Sequence, residues 1–232
     1  MIPWLHPAQP FPPVETALEY PSGLLAAGGD LSVPRLLDAY RRGIFPWYSE
    51  GEPILWWSPN PRMVLFPAEL RVSRSLAKRL RRRDHEVRAD TAFQAVMEGC
   101  AAPRTGQAGT WISPPMMEAY MALHAIGYAH SVETWMAGEL VGGLYGVAIG
   151  RVFYGESMFT RVPNASKVAF VHLVRQLDLW GFGLIDCQMR TAHLASLGAR
   201  EISRPNFTSR LRELLNYPNV PAPWCLTHDP SG

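Results

Sequence analysis

The stretch that decides the fold runs from Trp135 to Gln188 and reads WMAGELVGGLYGVAIGRVFYGESMFTRVPNASKVAFVHLVRQLDLWGFGLIDCQ. Its first part holds apolar, β-forming segments separated by turns at Ala137-Gly138 and at Gly150. A helix is predicted to begin near Asn164, and the run 184–188 predicts a further strand after that helix. The segment is therefore expected to form an antiparallel meander, a helix and another strand.

This is the central order of an N-acetyltransferase-like fold, so we predict an α+β or α/β protein with a mostly antiparallel mixed sheet. Such folds usually hold coenzyme A with a glycine-rich turn, whose backbone N–H groups cradle the pyrophosphate at a helix N-terminus. The corresponding turn here, 160–164, contains no glycine, and Pro163 removes one N–H donor. The sequence therefore predicts an acyltransferase scaffold whose acyl group arrives on a different carrier.

Composition restricts the class of protein further. Of the 232 residues, 47% are hydrophobic and 18% charged, and no window approaches the ~18 consecutive apolar residues of a membrane span. The N-terminus shows no export signal, and the widely separated Cys100, Cys187 and Cys225 argue for a reducing compartment. The seven histidines lack metal-ligand spacing. We therefore expect a cytoplasmic protein without a metal ion or a cofactor, and we expect it to be a monomer.

The N-terminal third is organised differently from the rest. A proline-rich start leads to a helix that is predicted over 33–42 with Ser32 as its N-cap. Four aromatic residues between Trp47 and Trp57 are either core of a small domain or, in part, a stacking platform for a nucleobase. Prolines around residues 59–67 suggest a boundary. We place a small N-terminal domain at 1–62 and an acetyltransferase-like catalytic domain at 63–232.

A strongly basic segment lies at 71–83, with seven lysines and arginines and no acid, in a chain whose formal net charge is only +2. Ser73 can cap a helix here, and Val72, Leu76 and Leu80 recur every four residues, which predicts one apolar stripe on a basic helix. The segment is either a solvated surface helix or a contact for a nucleic-acid phosphate backbone. Charge does not distinguish DNA from RNA.

Seven strings across nearly the whole chain resemble the bacterial leucyl/phenylalanyl-tRNA–protein transferases. Each string is modest evidence by itself, but seven in the family's order are specific. The strings begin and end at Gly23–Leu31, Gly43–Trp47, Trp56–Pro59, Gly109–Ile112, Gly155–Phe159, Asn164–Lys167 and Leu184–Gln188.

The resemblance implies a small N-terminal domain, an acetyltransferase-like C-terminal domain and a specific reaction. Family members move leucine or phenylalanine, and methionine less well, from charged tRNA to proteins that begin with arginine or lysine. The product enters the N-degron degradation route. The expected partners are therefore leucyl-, phenylalanyl- and methionyl-tRNA, together with proteins that have N-terminal Arg or Lys.

The same resemblance places Asp186, Gln188 and Glu156 at the reaction centre. A neutral amide is too weak a base for an ammonium, so we interpret Gln188 as orienting the amine or the ester carbonyl. Asp186 is then either the base or an electrostatic partner, and strand alternation predicts that it shares a face with Gln188. Glu156 would steady the attacking amine or the acceptor's basic side chain. Cys187 is interpreted as inert core rather than as a nucleophile.

Substrate contacts are also implied by the resemblance. Phe153 and Met158 can line one pocket only if their strand bulges, and Gly155 is the expected site of that bulge. The apolar pocket for the acyl side chain is expected to comprise Leu144, Phe153, Met158, Leu173 and Ile185. The 3′-terminal adenosine is expected to contact Trp47, Trp111 and Tyr120. The tRNA backbone is expected to contact Arg74, Lys78, Arg79, Arg82 and Arg83.

Two other classes of function remain open at this point. The first is a coenzyme-A-dependent N-acyltransferase, against which the absent pyrophosphate glycines count. The second is a non-catalytic RNA-binding protein, which the basic helix favours but which gives no reason for an apolar pocket beside carboxylates.

Overall fold

The structure is a computed structural model that describes residues 2–7, 9–82, 84–103 and 110–227. Its N-terminal part forms a four-stranded sheet and one helix. These elements are β1 (Trp4–Leu5), β2 (Leu24–Gly28), α1 (Val33–Arg41), β3 (Phe45–Pro46) and β4 (Leu55–Trp57). The strands follow the order β1-β2-β4-β3. Helix α1 begins after Ser32 as predicted, but the Ser32 side chain makes no capping bond. Instead, the Ser32 N–H donates to Asp30 Oδ1 at 2.9 Å.

The rest of the described chain forms a larger sheet, ordered β11-β5-β10-β9-β8-β7-β6. Its strands are β5 (Arg62–Leu65), β6 (Glu86–Ala89), β7 (Ala129–Met136), β8 (Glu139–Ile149), β9 (Val152–Thr160), β10 (Leu184–Gln188) and β11 (Arg200–Ile202). The helices are α2 (Arg74–Leu80), α3 (Phe93–Ala101), α4 (Pro114–Ala125), α5 (Ala165–Leu179), α6 (Ala192–Ser196) and α7 (Arg204–Leu214).

The predicted central order is confirmed. Strands β7, β8 and β9 form an antiparallel meander, and β10 returns through α5 to lie parallel to β9. Ala137 and Gly138 both have positive φ, 49° and 81°, which is the backbone of the tight hairpin turns that match strand twist. The fold is therefore the mixed α/β, acetyltransferase-like arrangement with a small N-terminal part. The large sheet begins at Arg62, but the division into two domains stays a prediction.

Two apolar clusters cover the two faces of the large sheet. Alternation along β8 assigns Tyr145 and Val147 to one cluster and Leu144 and Ala148 to the other. The first cluster continues into α3, α4 and the N-terminal sheet, while the second is built on α5. The N-terminal elements therefore share a core with the large sheet, which brings their side chains close to its centre.

The basic helix forms as predicted over α2. Ser73 Oγ accepts a hydrogen bond from the Leu76 N–H at 3.3 Å, so the predicted N-cap is confirmed. Leu76 and Leu80 are buried, whereas Arg74 and Lys78 are exposed. In the part of the chain that the structure describes, no helix is long and apolar enough to cross a bilayer.

Candidate active site

The main cavity lies where two parallel strands separate. Strands β9 and β10 pair from Val152↔Leu184 to Tyr154↔Asp186, and the register ends there. A cavity of about 390 Å³ occupies the gap beyond this last pair. Because the sheet is open at this point, the cavity is lined by side chains from both apolar clusters, among them Tyr145 and Leu144.

Most of the predicted substrate residues line this one cavity. The five predicted pocket residues are Leu144, Phe153, Met158, Leu173 and Ile185, and all of them are present in its wall. Trp47 and Trp111 also line it, together with Glu156 and Gln188. Trp47 is 41% exposed, so it stands at the mouth of the cavity. An apolar space with a few convergent polar groups is the usual form of a small-molecule site.

A β-bulge places Glu156 in this wall. Along the β8–β9 pairing, Tyr145 lies opposite Ser157 and Gly146 lies opposite Gly155, so Glu156 has no opposing residue. The bulge expected near Gly155 is therefore present. One extra residue reverses the alternation of the strand, and this is why Phe153 and Met158 both reach the same cavity.

Glu156 is the centre of a hydrogen-bond network from four different elements. Its carboxylate accepts from Tyr40 Oη at 2.8 Å, from Tyr120 Oη at 2.7 Å and from Gln188 Nε2 at 3.3 Å. The two phenol oxygens also lie 2.5 Å apart. Burial raises the pKa of Glu156 to about 7, with the nearby Asp186 adding to the rise, while the two tyrosines oppose it. The carboxyl group is therefore ionised only in part at neutral pH.

The structure does not place Tyr120 in the cavity wall, where its expected contact with the adenosine would lie. Tyr120 is fully buried in α4 and does not line the cavity, unlike Trp47 and Trp111. Its ring packs edge-on against Tyr145 at 5.4 Å, and its hydroxyl donates to Glu156. The helical spacing that identified its face as buried was correct. Tyr120 therefore donates a hydrogen bond to the Glu156 carboxylate from the protein core and does not form part of the cavity wall.

Asp186 is held in a buried ion pair. Its Oδ1 accepts from Arg62 Nε at 2.8 Å and its Oδ2 accepts from Arg62 Nη2 at 2.7 Å, with both side chains almost wholly buried. Asp186 Oδ1 also accepts from the backbone N–H of Gln188 at 2.9 Å. Of the two roles that the sequence leaves open for Asp186, this geometry favours an electrostatic partner over a base.

The shared face that alternation predicts for Asp186 and Gln188 is a second correction. Gln188 lines the cavity, whereas Asp186 points to Arg62 and does not line it. The β10–β5 register shifts between the two residues, and Gln188 has a φ of 59°. A left-handed residue breaks the two-residue period of a strand, so the two side chains separate.

Cys187 is free and buried, and its side chain lines the cavity. Burial raises the pKa of its thiol well above the usual range, with the nearby Asp186 carboxylate adding to the rise. A thiol that resists ionisation is a poor nucleophile, which agrees with the interpretation of Cys187 as inert. Among the described residues, no group of three or more His, Cys, Asp or Glu side chains is arranged to hold a metal ion.

The predicted phosphate contacts divide into exposed and paired groups. Arg74, Lys78 and Arg82 are exposed, while Arg79 is buried and its Nη1 donates to Asp84 at 2.5 Å. A second cavity of about 370 Å³ is lined by Lys78, Arg79 and Arg82, and it also reaches the turn at Pro163-Asn164 before α5. Arg83 lies outside the described residues.

Sequence reasoning missed two residues of the site. Tyr40 is on α1 in the N-terminal part, where nothing but helical spacing singles it out. Arg62 is the first residue of the buried strand β5, and the apolar residues 63–65 follow it. A charged residue directly before an apolar run was a signal that the sequence offered. Both act on residues far away in the sequence, Glu156 and Asp186, so only the tertiary structure connects them.

Known proteins are similar to this chain over most of its length. The family described as "Leucyl/phenylalanyl-tRNA protein transferase" matches residues 64–212, and the model of its N-terminal domain matches residues 29–60. A protein of that name from Nitrosospira multiformis is 66% identical over 229 residues, which cover 99% of each chain. Another, from Thiobacillus denitrificans, is 69% identical over 214 residues, which cover 92% of this chain and 94% of its own.

A solved GCN5-related N-acetyltransferase from Kribbella flavida is similar at 13% identity with a TM-score of 0.36, covering 72% of this chain and 60% of its own. On the strength of the two family matches and of relatives that are similar over nearly their full length, the chain belongs to the leucyl/phenylalanyl-tRNA–protein transferase family and is an aminoacyltransferase.

Proposed function

We propose that the protein transfers leucine or phenylalanine, and methionine less well, from charged tRNA to the α-amine of proteins with N-terminal Arg or Lys. The products would be marked for degradation by the N-degron route in the cytoplasm. The observation that carries the proposal is the one cavity in which an apolar pocket, the exposed Trp47 and the carboxylate of Glu156 meet.

The apolar part of the cavity suits an aliphatic or aromatic acyl side chain. Leu144, Phe153, Leu173 and Ile185 are almost wholly buried and present no polar atom to that side chain. A volume of about 390 Å³ accommodates more than the acyl side chain, so part of the ester can enter as well. Burial of a leucine or phenylalanine side chain in such a pocket contributes about 1.5–3 kcal/mol.

The reaction itself needs little covalent assistance from the protein. The acceptor amine attacks the ester carbon, a C–N bond forms, and the bond from that carbon to the tRNA 3′-oxygen breaks. The nitrogen loses one proton in this step, and the 3′-oxygen takes up one proton and leaves as a hydroxyl group. An α-amine with a pKa of ~7.7–8 is roughly a tenth deprotonated at pH 7, so complete deprotonation contributes only ~1 kcal/mol. Holding amine and ester together contributes about 7–11 kcal/mol. Orientation is therefore the main part of catalysis.

Three polar side chains receive roles in this proposal. Glu156 accepts a proton from the acceptor's ammonium group and so frees the amine for attack, because Glu156 lines the cavity and its pKa of about 7 is close to that of the amine. Gln188 orients the amine or the ester carbonyl with its amide. Asp186 is their electrostatic partner from behind the wall, since it does not line the cavity and is ion-paired with Arg62.

The tRNA is proposed to contact the protein at two places, the mouth of the cavity and the basic helix α2. Trp47 and Trp111 stack on the 3′-terminal adenosine at the cavity mouth. The exposed Arg74, Lys78 and Arg82 contact the phosphate backbone, whereas Arg79 organises this surface through Asp84. Phosphate contacts position a nucleic acid without reading its sequence, so the basic helix contributes affinity and no amino-acid preference.

Purified protein, Leu-tRNA labelled in the amino acid and a peptide that begins with arginine provide the test. Appearance of labelled peptide is expected, with an otherwise identical peptide that begins with acetylated arginine as the control. The absence of any labelled peptide would refute the proposal. Transfer from acetyl-coenzyme A would support the coenzyme-A alternative, and tRNA binding without transfer would support the RNA-binding alternative.

A further inference from the structure

The buried pair of Arg62 and Asp186 lies behind the cavity wall and touches no part of the cavity. The guanidinium of Arg62 lies between two aromatic rings, 4.8 Å from the centre of Phe45 and 4.7 Å from the centre of Phe207. These rings come from β3 and α7, so three distant segments fix the plane of one side chain. A guanidinium group held in this way presents two parallel N–H donors to one carboxylate.

The carboxylate transmits that fixed geometry to the backbone. Besides the two bonds from Arg62, Asp186 Oδ1 accepts the backbone N–H of Gln188 at 2.9 Å. Gln188 has a φ of 59°, a conformation that a non-glycine residue adopts only when its surroundings impose it. The carboxylate therefore holds the backbone at the point where β10 leaves its regular register.

The backbone in turn determines where the Gln188 side chain points. From its left-handed position Gln188 enters the cavity wall, and its Nε2 donates to Glu156 Oε1 at 3.3 Å. In a regular strand, alternation would direct Gln188 to the side of Asp186, away from this position. Hydrogen bonds therefore connect Arg62 to Glu156 in three steps. Arg62 donates to Asp186, the backbone N–H of Gln188 donates to the same carboxylate, and the Gln188 side chain donates to Glu156.

We propose that Arg62 is a positioning residue of the transfer reaction, which holds Gln188 in its left-handed conformation through Asp186 and so keeps the Gln188 amide at Glu156. Arg62 does not contact the substrates in this proposal. Lysine cannot replace it, because an ammonium group offers one point of charge where two parallel donors are needed. The kinetic part of the test rests on the proposed function, since it measures transfer.

The first measurement compares Arg62→Lys with the wild type in transfer from Leu-tRNA to the Arg-starting peptide. We expect kcat to fall at least about tenfold and the KM for Leu-tRNA to stay within about twofold, because orientation is lost and binding is kept. Arg35→Lys is the matched control. Arg35 is also buried and also lies over a ring, that of Phe11, but it has no contact with the cavity.

A double-mutant cycle separates positioning from a general structural role. If Arg62 acts through Gln188, then Arg62→Lys should cost less than about twofold in a Gln188→Ala background. A structural role would reduce the rate by the same factor in both backgrounds. Equal factors in the two backgrounds would overturn the proposal, as would an unchanged kcat in Arg62→Lys.

A second variant keeps the experiment decisive if Arg62→Lys does not fold. Replacing both partners together, with Arg62→Met and Asp186→Leu, leaves no buried charge behind, and such apolar pairs are often as stable as the ion pair. We expect this variant to melt at or above the wild-type temperature and to transfer at least about tenfold more slowly. Wild-type transfer by this folded variant would refute positioning by Arg62.

Hydrogen exchange decides the same question without any transfer assay. The backbone amide of Gln188 should exchange at least about tenfold faster in Arg62→Lys than in the wild type, and Arg35→Lys should leave it unchanged. Unchanged exchange of that amide in Arg62→Lys overturns the positioning role. If the wild type transfers nothing while this amide responds as expected, the proposed function fails and the positioning stands.

Discussion

The phenol of Tyr120 donates a hydrogen bond of 2.7 Å to the carboxylate of Glu156, which joins a helix in the core to the bulged strand of the cavity. Tyr40 donates to the same carboxylate from the N-terminal part of the chain. A donor hydrogen bond stabilises the ionised carboxylate, while burial disfavours it. The two tyrosines therefore keep the pKa of Glu156 from rising further than about 7.

Removing one phenol should move the pH dependence of transfer. In Tyr120→Phe or Tyr40→Phe, Glu156 loses a donor to its charged form, so its pKa should rise by about one unit. If Glu156 is the base, the acidic limb of kcat/KM then moves to higher pH by the same amount. The measurement is the pH profile of transfer to an Arg-starting peptide from pH 6 to 9.

Tyr145→Phe is the matched control for this profile. Tyr145 is also buried against the cavity, but among the described residues its hydroxyl has no hydrogen-bond partner. Its removal should leave the acidic limb in place. A limb that stays in place in Tyr120→Phe as well would show that Glu156 is not the base.

Glu156 should also make stability depend on pH. Its pKa is near 4.5 when unfolded and about 7 in the folded protein, so its contribution is full below pH 4.5 and is lost as the pH rises through 7. Glu156→Gln removes this loss. Relative to the wild type, the variant should gain about 2–3 kcal/mol of unfolding free energy between pH 5 and pH 8.

Urea unfolding at the two pH values measures this difference. Glu139→Gln, an exposed position at the start of β8, should differ from the wild type by less than about 0.5 kcal/mol at both. The prediction is contradicted if the stability of Glu156→Gln relative to the wild type is the same at pH 5 and pH 8. Loss of transfer is expected in the same variant, so stability and activity should change in opposite directions.

The tryptophans at the cavity mouth should bind the terminal adenosine. Trp47→Ala and Trp111→Ala should each lose about 1–3 kcal/mol of binding to an aminoacyl-adenosine fragment, which has no phosphate backbone to hold. Calorimetry with a non-hydrolysable fragment measures this affinity. Trp4→Ala is the control, because Trp4 is more exposed than Trp47 and lies outside the cavity. Normal fragment binding by folded Trp111→Ala would show that Trp111 does not contact the adenosine.

The exposed bases of α2 should determine the salt dependence of tRNA binding. The double variant Lys78→Ala and Arg82→Ala should bind charged tRNA more weakly, with a log–log salt slope reduced by about 1–2. Amino-acid preference should not change. Arg210→Ala with Arg212→Ala removes the same charge from exposed positions of α7 and should keep the slope. If both double variants have the wild-type slope, the tRNA follows another path.

The sequence predicted the centre of the large sheet well because its signals are local. Turn residues at Ala137-Gly138 and Gly150 separate the strands of the meander, and apolar composition identifies β10. The short strands β1 and β3 were missed, since two residues carry no periodicity. Their formation depends on pairing with β2 and β4, which is a tertiary effect.

The sequence predicted which residues form the site better than it predicted the directions of their side chains. Periodicity showed that Tyr120 is buried but not that its hydroxyl meets Glu156. Regular alternation failed for Gln188, because its backbone leaves the strand conformation. Charge counting identified Arg79 as basic but could not reveal that Asp84, five residues later, engages it. For Tyr120 and Arg79 the missing information is a contact between side chains, and for Gln188 it is a backbone conformation; no pattern of single residues encodes either.

The bulge at Glu156 makes deletion of this residue a different experiment from its substitution. Glu156→Ala would remove the carboxylate and leave the strand in phase. Deleting the residue would remove the bulge and leave Ser157 opposite Tyr145, so Phe153 and Met158 would stay on one side of the sheet. The extra residue therefore adds a carboxylate to the site without moving the apolar walls, so both variants should lose transfer and keep the acyl pocket.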